Sequence, residues 1–274
     1  MPQNPPPQNT IALDSITHLT AEHRGRVVAA GSHGAVYAAY LAAKGGVRAV
    51  ILNNAGIGKD GAGISGLAFL DDLGVAAAAT SHLSARIGDG ADMMARGVIS
   101  HVNRTAAALG CAPGQSCADC AAAMTAARHS SATPPDQTET RMMLHAEPGE
   151  PEVWGLDSAS LILPEDSGRI LIVGSHGQTL GGRPETALKY DAVAAVFSDA
   201  GIGADQAGLS RLPALDARGV PAATVSAQSA RIGDARSLYE DGVISHANDS
   251  AAALGAAPGI TTKAFVARII ASLR

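Results

Sequence analysis

Short apolar runs alternate with helix-length segments along the chain, and the alternation is regular enough to predict a fold. In the first half, "RGRVVAAGS", "VRAVILN" and "VAAAATS" each contain at least four consecutive apolar residues, as buried strands do. "AVYAAYLAAK", ended by Gly45 and Gly46, and "AGISGLAFLDDLG", ended by Gly74, favour helices. Strands that alternate with helices predict βαβ crossovers and a mostly parallel sheet with helices on its faces.

The remaining segments complete one such unit. "NTIALDSITHL" is a further β-type run, separated from "RGRVVAAGS" by a polar turn, which suggests a hairpin. "GADMMARG", "SHVNRTAAALG" and "CADCAAAMTAAR" favour helices at its end. Ser100 and Ser245, in the repeated "GVISH", have the residue type and position of N-caps.

The second half repeats the polar motifs of the first in the same order. "GSHG", "AGIG", "SARIGD" and "GVISH" each occur twice, and each copy follows an apolar run or opens a helical one. The predicted fold class is therefore α/β, with internal duplication of a βαβ-type unit of about 120 residues, mostly parallel sheets, flanking helices and pseudo-twofold symmetry. The predicted division is a flexible Pro-rich N-terminal arm (1–9), a first α/β repeat (10–128), a polar Pro-rich linker (129–152) and a second α/β repeat (153–274).

Composition and charge narrow the function classes. The 274 residues are 46% hydrophobic and carry a net charge of −5 without blocks of like charge, which argues against nucleic-acid and anionic-membrane partners. Apolar runs long enough for a membrane span are lacking, and the first residues lack the features of a signal peptide, so a cytoplasmic protein is expected. A homo-oligomer is expected only because homodimers are common.

The repeated motifs predict a small-molecule site at the carboxyl ends of the strands, where α/β sheets bind ligands. Arginine is well shaped for carboxylate or phosphate, histidine exchanges protons near neutral pH, and glycine turns bring N–H groups to an oxyanion. Candidate catalytic residues are His33, His101, His176, His246, Asp60 and Asp205. Candidate substrate-binding residues are Ser32, Ser175, Lys59, Ser84, Arg86, Asp89, Ser229, Arg231, Asp234.

Each candidate also has a structural interpretation. Asp89 and Asp234 stand three residues after an arginine, so they either pair with that arginine or cap the next helix. Ser32 and His33 either meet an anion at the helix that follows or close a tight turn. The five histidines without a counterpart are expected at the surface or in packing: His18, His23, His82, His129, His145.

Cofactor predictions are few. The chain lacks the GxSxG, GxxxxGK[ST] and HExxH strings, so no cofactor is expected, although the His and Asp candidates leave a divalent metal as an alternative. "CADC" in an Ala-rich helical pattern favours packing cysteines over a redox or metal site.

The favoured function is an enzyme acting on a small anionic, carboxylate-bearing metabolite, with hydrolysis ahead of lyase or isomerase chemistry. The alternatives are a non-catalytic module that binds a phosphometabolite or nucleotide, and a structural oligomeric protein. Lys59 is matched by Ala204 and Asn54 by Asp199, so the two halves are expected to differ in role.

Overall fold

The computed structural model describes residues 9–274, so the arm predicted over residues 1–9 lies outside the described residues except for Asn9. The chain forms two compact units. The first unit comprises the described residues through Ile57, Gly61–Thr138 and Gly203–Asp205; the second comprises Gly58–Asp60, Glu139–Ile202 and Gln206–Arg274. Each unit contains one sheet and its own helices.

The first unit is a five-stranded sheet with helices on both faces. Its strands are β1 (Thr10–Leu13), β2 (Val27–His33), β3 (Ala49–Asn53), β4 (Ala76–Thr80) and β5 (Ile99–Val102), and its helices are α1 (Val36–Lys44), α2 (Gly66–Asp72), α3 (Gly90–Arg96), α4 (Arg104–Ala107) and α5 (Cys117–Met124). The strands lie in chain order. β1 to β4 are parallel neighbours, and β5 is antiparallel to β4.

The second unit is a six-stranded sheet of the same design. Its strands are β6 (Arg141–His145), β7 (Val153–Leu156), β8 (Ile170–His176), β9 (Ala194–Ser198), β10 (Ala222–Val225) and β11 (Ile244–Ala247), and its helices are α6 (Arg211–Asp216), α7 (Ala235–Glu240), α8 (Asp249–Ala253) and α9 (Thr262–Ser272). β7 to β10 are parallel neighbours, and β6 and β11 are antiparallel edges. Two mostly parallel sheets with flanking helices confirm the predicted α/β class.

The apolar runs form strands because both faces of each sheet are covered. Ile51 packs on one face of the first sheet in a cluster with Met93 and Met124, and Leu52 packs on the other with Leu70. Alternate residues of one strand therefore enter different cores, so β3 is apolar at every position before Asn53. Within the described residues, no helix has the length and apolar content needed to cross a lipid bilayer.

The hairpin predicted at the start of the first unit is wrong. β1 and β2 are parallel, with Thr10 opposite Val27 and Leu13 opposite Ala30. Two 3₁₀ turns, Ile16–His18 and Ala21–His23, carry the chain back to the start of the sheet. A parallel pair needs such a crossover because the second strand must begin at the same end as the first.

The N-caps predicted at "GVISH" are also wrong. Ser100 and Ser245 lie in β5 and β11, and the helices begin after Asn103 and Asn248, whose side chains accept the N–H groups of Ala106 and Ala251. His101 and His246 are therefore strand residues.

The segment 129–152, predicted as a linker, contains β6, which pairs with β7, and Arg141 of β6 binds the buried Asp166. Between β8 and β9 the chain forms two 3₁₀ turns, Leu180–Gly182 and Pro184–Thr186. The second unit therefore lacks a helix equivalent to α1.

Candidate functional site

The two "GSHG" motifs end β2 and β8, where their serines hold the chain rather than point to open space. Ser32 Oγ accepts the N–H of Ile16 at 2.9 Å, and Ser175 Oγ accepts the N–H of Ala159 at 2.9 Å. Each serine thus anchors the 3₁₀ turn that follows the neighbouring parallel strand. Their predicted substrate contacts stay predictions.

The last glycine of each "GSHG" is required by close backbone approach. A Cβ on Gly34 would lie 2.6 Å from Gly63 O, and a Cβ on Gly177 would lie 2.1 Å from Gly208 O. Side chains do not fit at such distances, so the motif packs directly on the segment that follows "AGIG".

The histidine of "GSHG" is held by its own backbone turn. His33 Nδ1 accepts the N–H of Ala35 at 3.4 Å, and His176 Nδ1 accepts that of Gln178 at 3.3 Å. Burial lowers the pKa of His33 to about 4, because the partly exposed ring has lost much of the water that would solvate its charged form. His33 is therefore neutral at pH 7 and carries its proton on Nε2, which makes it a hydrogen-bond donor.

"AGIG" is a run of left-handed backbone in both units. Residues 55–58 and 200–203 all have positive φ, and the β-branched Ile57 and Ile202 have φ of 63° and 66°. Such residues are strained there, and the strain persists only because the surroundings fix it. The fixing bonds in the first unit come from Asn53 Oδ1, Asn54 Oδ1 and Asn54 O, which accept successive N–H groups of the turn. These three N–H groups are used within the turn, and the predicted contact of the glycine turns with an oxyanion stays a prediction.

"SARIGD" links β4 to α3 and β10 to α7, and its polar side chains bind one another. Arg86 Nη2 lies 3.0 Å from Asp89 Oδ2 and 3.0 Å from Asp92 Oδ1. Asp89 also caps α3 by accepting the N–H of Asp92 at 2.9 Å. Ser84 Oγ accepts the N–H of Val98 at 2.9 Å. Both structural interpretations of the aspartate, arginine partner and helix cap, are present together.

The second copy of "SARIGD" repeats these contacts. Arg231 Nε lies 3.1 Å from Asp234 Oδ2, Asp234 caps α7 through the N–H of Ser237, and Ser229 Oγ accepts the N–H of Val243. In the same unit Arg231 binds Asp60 at 2.8 Å.

The remaining candidates are exposed ion-pair partners. Lys59 Nζ lies 2.9 Å from Asp241 Oδ2 in the second unit. Asp205 belongs to the first unit, where it binds Arg96 and lies 3.4 Å from Arg86 Nη1. These hydrogen bonds to arginine hold the pKa of the Asp205 carboxyl below its usual range. Asp60 and Asp205 are 61% and 52% exposed, so neither has the desolvated surroundings that turn a carboxylate into a general base.

A β-bulge separates Ser100 from the regular ladder of β4 and β5. Thr80 is opposite Ile99 while Ala79 is opposite His101, so β5 has one more residue than its partner at this step. Bulges re-aim side chains and occur often beside active sites. The bulge brings Ser100 and His101 to the residues that follow β3 and β4.

Four side chains of the first unit form a continuous hydrogen-bonded chain at this place. His82 Nδ1 lies 2.9 Å from Asn54 Oδ1, Asn54 Nδ2 donates to Ser100 Oγ at 3.0 Å, and His101 Nδ1 lies 3.1 Å from Ser100 Oγ. Asn54 is almost fully buried. The His82–Asn54–Ser100–His101 chain joins the ends of β3, β4 and β5.

The direction of each bond in this chain follows from the backbone. Asn54 Oδ1 accepts the N–H groups of Gly56 and His82, so it is an acceptor for His82 Nδ1 as well. Ser100 Oγ donates to Ala79 O at 3.0 Å, so His101 Nδ1 must donate to it. Neutral His82 and His101 therefore both carry the proton on Nδ1 and the lone pair on Nε2.

Because these hydrogen bonds keep the proton of His101 on Nδ1, its Nε2 is the nitrogen that can accept a proton. The His101 ring is partly exposed, and no residue among 9–274 forms a hydrogen bond with its Nε2. A partly exposed base nitrogen on an oriented ring is what general acid–base catalysis requires.

The second unit has no equivalent chain within its described residues. Asp199 replaces Asn54 and Ala227 replaces His82; Asp199 Oδ1 accepts the N–H groups of Gly201 and Ala227. Ser245 pairs with Thr224 at 3.1 Å, and His246 Nδ1 is buried without a hydrogen-bond partner. The two copies of "GVISH" thus have different surroundings.

Metal and redox chemistry have little support. Across residues 9–274, no group of three or more His, Cys, Asp or Glu side chains is placed to hold a metal ion, so the alternative divalent metal has no ligand set there. Cys111, Cys117 and Cys120 are buried free thiols whose pKa values are raised by desolvation. Thiols of this kind are poor nucleophiles, in keeping with packing cysteines.

His82 and Asn54 are the functional candidates that sequence reasoning missed. His82 has no histidine counterpart, which suggested a surface residue, and Ser100 was interpreted as a cap. The available signal was that both Asn54 and His82 are replaced in the second copy, by Asp199 and Ala227. Paired differences within an otherwise repeated motif indicate contact.

Comparison of the chain with protein-family models, with curated proteins and with solved structures finds no match.

Proposed function

We propose that the chain is an enzyme that acts on a small carboxylate-bearing metabolite, with general acid–base catalysis in the first unit and hydrolysis as the favoured reaction. The observation that carries the proposal is the His82–Asn54–Ser100–His101 chain, which fixes the ring and the tautomer of His101. Fixed orientation is the main requirement for an efficient general base.

In the proposed reaction, His101 Nε2 takes a proton from a water molecule as its oxygen adds to the carbonyl carbon of the substrate. The protonated ring then returns that proton to the leaving group as the bond to it breaks. Ser100 stabilises the protonated ring of His101, because Ser100 Oγ accepts a hydrogen bond from Nδ1–H in both the neutral and the charged ring.

Arg86 is the proposed anchor for the substrate carboxylate. Asp89 and Asp92 hold one edge of its guanidinium, while Nη1 has only a long, exposed contact of 3.4 Å with Asp205. A substrate carboxylate would replace Asp205 at Nη1 at small cost, because exposed ion pairs contribute little. Neutral His33 adds a donor at the end of β2 in the same sheet.

The test compares equivalent histidines of the two units. On a panel of small carboxylate-bearing esters and amides, His101→Gln is expected to lower kcat by about 100-fold or more. His246→Gln, the matched control, is expected to leave it within about twofold of the parent. Equal effects of the two variants, or a parent protein inactive on the whole panel, would count against the proposal.

A ligand-free measurement tests the arrangement itself. Nitrogen-15 NMR of the imidazoles is expected to show the Nδ1–H tautomer for both His82 and His101. Asn54→Ala is expected to remove that preference at His82, while Asp199→Ala leaves the spectra of both rings unchanged. An Nε2–H tautomer at His101 would remove its role as the base.

A structural role is the second candidate, and a specific observation favours it. The serine, arginine and aspartate of "SARIGD" are satisfied locally in both units, as a turn and a helix cap would be. If the chain is a structural oligomer, sedimentation should show a stable assembly, and His101→Gln should change neither assembly nor any activity.

A further inference from the structure

A groove of about 300 Å³ lies beside α1 in the first unit and is not part of the His82–Asn54–Ser100–His101 chain. Its floor is the C-terminal turn of α1, and its rim is the segment that follows α5, residues 129–136. This volume is at the lower end of the range for small-molecule sites. Its charged lining residues are Arg24, Lys44, His129 and Asp136.

Arg24 is the cation of the groove that has no counterion. Its guanidinium lies against Gly46, where a Cβ would be 3.1 Å from Nη1, and Gly46 has a φ of 67°. No side chain or carbonyl oxygen of residues 9–274 forms a hydrogen bond or ion pair with this guanidinium. An arginine so placed keeps its planar set of donors for a ligand.

Lys44 is a second cation, and it is oriented. Its Nζ donates to Tyr40 Oη at 3.0 Å, and Tyr40 Oη donates to Asp136 Oδ1 at 3.1 Å. The bond to Tyr40 raises the pKa of Lys44, so the ammonium stays charged at neutral pH. Two of its three protons remain for a ligand.

Neutral donors complete the lining. His129 Nε2 donates to Gly46 O at 2.9 Å, which fixes the ring beside Arg24. The hydroxyls of Ser131 and Thr133 line the groove and have no hydrogen-bond partner among the described residues. The N–H groups of Gly45, Gly46 and Val47 cap the last carbonyls of α1, so these carbonyls do not present free acceptors to an anion.

We propose that this groove binds the phosphate group of a small phosphorylated molecule. A guanidinium, an ammonium and two hydroxyls around one small cavity match the several acceptor oxygens of a phosphate better than the two of a carboxylate. The site goes beyond the proposed catalytic function and does not depend on it. It belongs to the first unit alone, because the second unit has no equivalent of α1.

Phosphorus-31 NMR titration with inorganic phosphate and with glycerol phosphate tests the site on the full chain. Saturable binding is expected, and Arg24→Gln and Lys44→Gln should each weaken it about tenfold. Arg128→Gln is the matched control: Arg128 is exposed and lies one residue before His129, but it does not line the groove. This variant should bind as the parent does.

Three results would overturn the site: no saturable binding by the parent, equal weakening in all three variants, or equal affinity for acetate. Equal weakening would mean that general charge attraction explains the binding. All three side chains are exposed, so the variants should unfold at the temperature of the parent. His101→Gln should bind phosphate normally, which separates a failure of this site from a failure of the catalytic proposal.

Discussion

The segment after "GSHG" differs between the two units more than any other repeated region. The residue that packs against this segment also differs between the units. In the first unit α1 packs on Gly66, where a Cβ would lie 2.6 Å from Ala39 Cβ and 2.8 Å from Ala35 O. In the second unit the helix is absent, and the residue equivalent to Gly66 is Arg211.

Arg211 takes the place of the missing helix. Its guanidinium is buried and donates to His176 O, Gln178 O, Thr186 O and Ala187 O, and it lies 4.8 Å from the ring centroid of Phe197. Burial lowers its pKa to about 10, which still leaves it charged at neutral pH. Carbonyls that a helix would satisfy internally are satisfied by one side chain instead. The equivalent region of the sheet is therefore covered by a helix in the first unit and by a buried arginine side chain in the second.

The strongest test of this comparison is Arg211→Met. Four carbonyl oxygens would lose their donor in a buried place, so unfolding free energy is expected to fall by about 3–5 kcal/mol. Urea unfolding measures the change. Arg218→Met, which removes a partly exposed arginine paired with Asp191, should cost no more than about 1 kcal/mol. Similar costs for both would mean that Arg211 does not replace the helix.

Gly66→Ala tests the packing of α1 on Gly66 in the first unit. Alanine ordinarily stabilises a helix over glycine by about 1 kcal/mol. Here the added methyl would meet α1, so a loss of about 2–3 kcal/mol is expected instead. Ala68→Gly, on the exposed face of α2, should lose only the propensity difference. A Gly66→Ala protein more stable than the parent would show that α1 is not held against this residue.

The pH dependence of stability should reveal His33. Its pKa is about 4 when folded and about 6.5 when unfolded, so both states are neutral at pH 7. As pH falls from about 6.5 to about 4, only the unfolded state takes the proton, and stability falls by about 2 kcal/mol after allowance for partial exposure. His33→Gln should flatten the fall in stability between these two pH values. An unchanged slope in His33→Gln would contradict the assignment.

Glu139 contributes with the opposite sign in the second unit. Desolvation raises its pKa to about 7, so the folded state holds a proton that the unfolded state releases above about pH 4.5. Stability from this group is present below pH 4.5 and is lost as pH rises to about 7. Glu139→Gln should therefore steepen the fall in stability on acidification, whereas His33→Gln should flatten it. Unfolding measured between about pH 4.5 and 7 therefore separates the contributions of the two residues.

The smallest losses of unfolding free energy are expected for substitutions in "SARIGD", which makes the same local contacts in both units. Asp89→Ala and Asp234→Ala remove helix caps and should each cost about 1 kcal/mol. Arg86→Ala and Arg231→Ala remove partly exposed ion pairs and should each cost about 0.5 kcal/mol. Asp89→Asn should restore most of the loss, because it keeps the cap without the charge. A larger cost for the arginines would assign them a structural role beyond these pairs.

Sequence patterns located most of the sheet but not its edges. β3 and β4 are apolar at every position except the last, because both faces of these strands are buried. β5 contains Ser100 and His101, and β6 contains Arg141 and His145, so neither has an apolar pattern. Edge strands have one free side and tolerate polar residues, which is why "GVISH" was mistaken for a helix start.

The candidate site was predicted in its place but not in its members. The strand ends were expected to gather "GSHG", "AGIG" and "SARIGD", because parallel strands end at one edge of the sheet. "GVISH", expected to open a helix, lies beside them in β5. His82 was excluded for lack of a counterpart, although it binds Asn54 at 2.9 Å. Residues that occur in both repeats are those that the shared fold needs. A residue that acts in only one repeat, such as His82, cannot be found by comparing the two.

The α/β class, the duplication and the positions of the buried strands could be predicted from the amino-acid sequence, since they depend on local apolar patterning and on residues repeated in order. The folded structure was needed to show that Asn54, Ser100 and two histidines meet. It was also needed to show that Arg211 covers what α1 covers elsewhere, and that Arg24 faces a groove without a counterion. These contacts join residues far apart in the chain, and their geometry follows from bulges, crossovers and close backbone approach that a linear pattern does not encode.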